Sequence, residues 1–164
     1  MKTNCIWAAI AISLSTSSVF ATELPATIDV PNVAKVATYH AEGIQIYECS
    51  LDDGSKMWRF REPVASLIDQ GTTVGRHYTG PTWEHSDGSL VRGRVAGRAP
   101  GATAEDIPWL RIDVVTQLND GALYGVTSVQ RINTRGGVAA GYCDQVGAYR
   151  SVPYSADYIF LRKD

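Results

Sequence analysis

The residues best equipped for chemistry lie in one stretch, GRHYTGPTWEHSDGS, at residues 75–89. It holds two of the three histidines, His77 and His85, together with Tyr78, Trp83, Glu84, Ser86, Asp87 and Ser89. Three chemistries compete for these side chains. Imidazole and carboxylate from His77, Glu84, His85 and Asp87, joined by His40, suit zinc or copper. Against that reading, Gly80 and Pro81 interrupt the chain between the histidines, and neither HxH nor HExxH spacing is present. Ser86 or Ser89 with His77 or His85 and Asp87 supplies the residue types of a nucleophilic triad, which needs a base within reach of the nucleophile and a group orienting that base. No nucleophile-elbow sequence surrounds either serine, and Asp87 followed by Gly88 reads more simply as a turn. The third chemistry is binding. Tyr78, Trp83 and Trp109 can wall a ligand cleft, with Tyr142, Tyr149 and Tyr154 and with Arg and Asp at its rim.

The pattern favours binding over catalysis. The expected pocket is His77, Tyr78, Trp83, Glu84, His85, Asp87 and Trp109, with no catalytic residue assigned and no cofactor implied. His77 and His85 stand as metal candidates only under the alternative reading, a metal-dependent or hydrolytic enzyme centred on residues 75–89. Aromatic residues in a small β domain also serve as core, and that competes with a ligand role at each position.

The elements that must position these residues are β-strands. Residues 43–49 and 56–61 alternate apolar and polar positions on either side of Asp53 and Gly54, the sequence of a hairpin. Residues 109–118 give the clearest strand, with Leu110, Ile112 and Val114 alternating against Arg111 and Asp113. Further runs over 72–79, 83–85, 89–95, 122–132 and 154–162 are separated by Gly-containing turns and by a Gly, Ala and Pro-rich loop at 96–106. One short helix is expected near 63–70, because Pro63 suits a first helical turn, Val64, Leu67 and Ile68 share a helical face, and Gly71 can end it. The fold class is therefore all-β, mainly antiparallel, a small sandwich or barrel. Arg131 and Asp157 are candidates for a cross-strand pair, and Asn133, Gly136 and Gly137 for a turn.

The N-terminus reads as an export signal. Lys2 precedes an apolar run from Cys5 to Leu14 of roughly ten residues, then small residues up to Ala21, the order of a cleavable signal peptide. Cleavage after Ala21 leaves one β-rich domain at 22–164, placed in the periplasm or outside the cell. With Lys2 lost, the net charge of the 164-residue chain moves from −2 to −3. That balance gives no footprint for nucleic acid. No later apolar run reaches the roughly twenty residues of a membrane span. Cys5 leaves with the signal, so Cys49 and Cys143 remain as an even pair, which in an oxidising compartment reads as a disulfide. A small molecule or a cell-envelope glycan is the expected partner.

Several segments also resemble a family. GRHYTGPTWEHSDGSLVRG (75–93), IPWLRIDV (107–114), YGVTSVQRINTRGG (124–137) with Cys143, and VPYSADYIF (152–160) are similar to the secreted domain of unknown function numbered 3455. IQIYECS (44–50), Trp58 and EPVASL (62–67) agree in the same order, so the resemblance covers essentially the whole of 22–164. It implies exported bacterial and fungal proteins and brings no catalytic assignment. A dehydrogenase label attached to some fungal relatives does not transfer. Residues 93–97 (GRVAG) lack the GxGxxG spacing of a dinucleotide site and sit in β-type sequence.

Overall fold

The computed structural model describes residues 24–164; the expected signal peptide lies outside the described residues. Eight antiparallel strands close into a barrel in chain order: β1 (Val33–Asp52), β2 (Ser55–Asp69), β3 (Thr72–Tyr78), β4 (Thr82–His85), β5 (Leu90–Ala99), β6 (Trp109–Leu118), β7 (Ser128–Gly136) and β8 (Tyr149–Lys163). The longest ladders run from β1 to β2 and from β1 to β8, so β1 is the spine of the closure. The connections are short because each is built for reversal. Asp53 and Gly54 take φ of 45° and 80°, and Gln70 and Gly71 take 46° and 81°. Paired positive φ values match the twist of tight hairpins.

The helix expected near 63–70 is not formed; those residues belong to β2 and its turn. Pro63, Ala65 and Leu67 are buried while Val64 and Ser66 are exposed, a period of two. Gly71 does not end a helix but completes the hairpin turn with Gln70. Pro63 is tolerated because the β2–β3 ladder begins only at Ala65, beyond it. Two further boundaries move. Strand β7 begins at Ser128 rather than 122, since Asn119, Gly121 and Gly125 have positive φ and hold 119–125 as a loop. Asn133 has φ of 51° yet sits within β7, where the β7–β8 register slips between Ile132 and Arg135.

Inward-facing residues fill the barrel. Trp83, Leu67, Val91, Ile112, Val129, Tyr158 and Phe160 are buried in one cluster with Tyr39 and Tyr154. Eight strands enclose a space that such side chains fill, leaving ligand room mainly at the ends. Outside, charged residues such as Lys35, Glu42, Arg59, Arg61 and Arg76 are exposed. That polarity is the reverse of a barrel facing lipid. Among the described residues no helix is long and apolar enough to cross a membrane.

Two attachments brace the shell. The N-terminal segment lies over β7, where Gln130 donates from Nε2 to the Ile28 carbonyl at 2.7 Å and Ile28 is fully buried. Cys49 and Cys143 form a disulfide, Cα atoms 5.8 Å apart and 94 residues apart in sequence. It fastens the excursion before β8 to the β1–β2 hairpin, helped by backbone bonds from Gly147 to Cys49 and from Cys143 to Lys56.

Candidate functional site

The structure distributes the seven expected pocket residues over four places rather than one. His77 and Trp83 face each other across the β3–β4 ladder and point into the barrel. Their rings stack at 4.6 Å with planes 8° apart, and both meet Tyr158. The His77 Nδ1 lies 2.8 Å from the Thr82 carbonyl, which can only accept, so Nδ1 carries the proton. Burial lowers the His77 pKa to about 3, so the ring is neutral.

Tyr78 and Glu84 lie on the outer face of the same two strands. The Tyr78 hydroxyl donates to Glu84 Oε2 at 2.8 Å, and Arg76 donates to that oxygen from Nη2 at 2.9 Å. The Arg76 guanidinium also covers the Tyr78 ring at 5.0 Å. Together the Tyr78 and Arg76 bonds hold the Glu84 carboxyl below its ordinary range. This arrangement balances the Glu84 charge on the outer face of β3 and β4.

His85, Asp87 and Ser89 do come together, at the β4–β5 turn, but in the wrong order for a triad. Asp87 Oδ1 lies 3.1 Å from His85 Nδ1 and takes the Ser89 hydroxyl at 2.6 Å. The carboxylate is therefore between serine and imidazole, whereas a triad puts the imidazole between the other two. Ser89 is fully buried, and its oxygen accepts the Leu123 N–H. Asp87 also accepts from Ser89 N and Ala122 N. The bonds from Ser89 and Ala122 hold the Asp87 carboxyl well below the usual range. These contacts fasten the 119–123 loop to the turn. Among the described residues no three His, Cys, Asp or Glu side chains converge as a metal-binding group.

Trp109, the remaining member, opens onto a cleft of about 670 Å³ on the outer face of the wall. His40 and Asp157 stand opposite each other in the β1–β8 ladder, and His40 Nδ1 is 2.8 Å from Asp157 Oδ1. Asn133 donates to the other carboxylate oxygen at 2.8 Å. The far wall is set by Asp106, which accepts from Gly136 N at 2.6 Å and from the Thr103 hydroxyl at 2.8 Å. Those bonds depress the Asp106 pKa, the Gly136 bond most. Arg135 and Ser155 complete the rim. The Trp109 indole N–H is buried and has no hydrogen-bond partner among the described residues. Arg131 and Asp157 are not a pair: Arg131 stands opposite Tyr158, and Asp157 stands opposite Ile132.

The cleft was not apparent from sequence because its residues come from β1, β6, β7, β8 and the 101–106 loop. The one local signal is a run of polar residues, Asn133, Thr134 and Arg135, at the end of β7.

A closed antiparallel barrel with a packed interior and a cross-linking disulfide defines the class: a small all-β domain. The chain belongs to the family described as protein of unknown function DUF3455, whose model matches residues 31–162. Neither the curated proteins nor the solved structures contain a match to it.

Proposed function

We propose that the protein is an exported binding module that takes a small polyhydroxylated ligand, a cell-envelope glycan fragment, in the Trp109 cleft. The observation that carries this reading is the cleft itself, where Trp109 stands in one wall together with a bonded frame of His40, Asp157, Asn133 and Asp106. Sugars are recognised by this combination, their apolar faces against an aromatic ring and their hydroxyls against planar amides and carboxylates. The volume falls within the roughly 300–1,000 Å³ of small-molecule sites. The frame is locked before any ligand arrives, so little ordering entropy opposes binding. Export is supported by the signal-like N-terminus and by the Cys49–Cys143 bond, since disulfides persist outside the reducing cytosol.

Thermal-shift screening with N-acetylated and neutral cell-wall oligosaccharides tests the proposal. A true ligand at a hundredfold excess over Kd raises the midpoint by roughly 5–10 °C. Trp109→Ala abolishes that rise while the protein stays folded. A panel-wide absence of shift contradicts the reading.

A further inference from the structure

We propose that the open end of the barrel is a second binding site, specific for a small carboxylate on an apolar body and held by Arg131 and Gln45. It lies on the other side of the wall from the Trp109 cleft. Arg131 follows Val129 on the inward face of β7, while His40 and Asp157 take outward positions of β1 and β8. The pocket has about 280 Å³ and is lined by Gln45, Tyr47, Phe60, Arg98, Ile107, Pro108 and Arg131.

The central observation is a buried cation with no anion. Arg131 is 9% exposed, and among the described residues it forms no ion pair. Its protein partner is the Pro108 carbonyl, which accepts from Nε at 3.1 Å and from Nη2 at 2.8 Å. A guanidinium has five N–H donors. Two are engaged on Pro108, and the Nη1 side of the fork has no partner among the described residues. The Arg131 charge is felt at Tyr47, His77 and Tyr154, all of which are neutral at ordinary pH, so none balances it. Isolating a charge in a low-dielectric interior is costly unless a counter-charge arrives.

A second observation is independent of the first. Gln45 is 2% exposed and lines the same pocket; its enclosed Nε2 makes no well-formed hydrogen bond, the Tyr154 hydroxyl being the group within its reach. A guanidinium beside a cavity matches the two oxygens of a carboxylate, and a small rotation of the Gln45 amide would bring its N–H to the same ligand. Arg98 adds a further cation at the rim, and the lining contains no Asp or Glu. The rest of the wall is apolar or aromatic. Tyr47 and Phe60 meet edge to face at 5.8 Å, and Ile107 and Pro108 close the other side. Tyr47 is fixed by donating to the Gly137 carbonyl at 2.7 Å. Gly137, at φ 93°, lies so close to Ile107, Tyr154 and Gln45 that a Cβ there would meet all three. The roof is thus preformed, and the space suits one ring bearing an acid group.

The test is an NMR titration of 15N-labelled protein with benzoate, with benzamide as the neutral isostere and inorganic phosphate as a bare anion. Benzoate should shift the Arg131 Nε–H and Gln45 amide signals saturably. Benzamide and phosphate should bind at least about tenfold more weakly, as expected when a charge-assisted pair or the apolar contact is lost. Arg131→Gln should abolish the response. Arg98→Gln, at an exposed position that keeps the fold, should weaken it several-fold even if the Arg131 variant does not fold. Absence of any benzoate response at these signals overturns the proposal. So does equal binding of benzamide, an equal response to phosphate, or a response confined to the Trp109 cleft.

Discussion

His77 lies flat against Trp83 inside the barrel, ring centroids 4.6 Å apart and planes 8° from parallel. The stack makes His77 a core residue and fixes its proton on Nδ1, toward the Thr82 carbonyl. It also gives the fold a built-in acid sensitivity. Burial holds the folded pKa at about 3, against roughly 6.5 when unfolded. The unfolded chain therefore takes up a proton below pH 6.5 that the folded chain refuses, so stability falls as pH falls toward 3. Each unit in that window costs up to about 1.4 kcal/mol. Chemical denaturation at pH 7 and pH 5 should show the loss, and His77→Phe should flatten the difference. An unchanged slope in the variant would place the sensitivity elsewhere.

A second acid-linked loss comes from Asp87, whose pKa is also lowered, here by hydrogen bonds to the charged form rather than by burial. Its folded pKa is depressed by the Ser89 and Ala122 bonds, so its contribution is complete above the unfolded carboxylate value of about 4 and disappears as pH falls below it. Ser89→Ala removes the short bond to Asp87 and leaves the Leu123 N–H without its acceptor. Expected destabilisation is about 1–3 kcal/mol, because buried polar groups left unsatisfied are costly. Hydrogen exchange should show the loss concentrated in residues 119–123. Protection unchanged there would mean that Asp87 does not anchor the loop.

How much of this was legible in the sequence depends on how local each signal is. The all-β class, the turn at Asp53 and Gly54, and the β6 alternation follow from residues within a few positions of one another. The helix near 63–70 failed because Val64, Leu67 and Ile68 match helical spacing, whereas the strand buries Pro63, Ala65 and Leu67 and turns at Gln70 and Gly71. The candidate site was harder. His77 and Trp83, read as pocket residues, share the inward register of β3 and β4, whereas Tyr78 and Glu84 share the outward one. Trp109 lines the cleft, and its neighbours His40, Asn133 and Asp157 reach it only through barrel closure. Arg131 was read as half of a pair with Asp157, although its spacing from Val129 already placed it on the apolar face.

The disulfide offers a third prediction. Cross-linking positions 94 residues apart removes loop entropy worth about 4–5 kcal/mol in the chain-entropy model. A Cys49→Ser, Cys143→Ser double variant should unfold at lower denaturant by a comparable free energy, with the first loss of protection in residues 140–148. Two free thiols detected on the native protein would contradict the bond itself.

The ion-pair surface around Arg76 should matter little by comparison. Arg76 and Glu84 are joined at the exterior, and exposed pairs contribute about 0–1 kcal/mol. Arg76→Gln should change stability by no more than that and leave ligand binding intact. A loss of binding in this variant would move the site from the Trp109 cleft to the outer face of β3 and β4.

The most direct test of the binding reading follows the Trp109 indole N–H by NMR during titration with cell-wall oligosaccharides. The account predicts that this signal moves saturably while the indole signal of Trp83, sealed in the core, stays in place. A panel that leaves the Trp109 signal unmoved, or moves Trp83 instead, would contradict it.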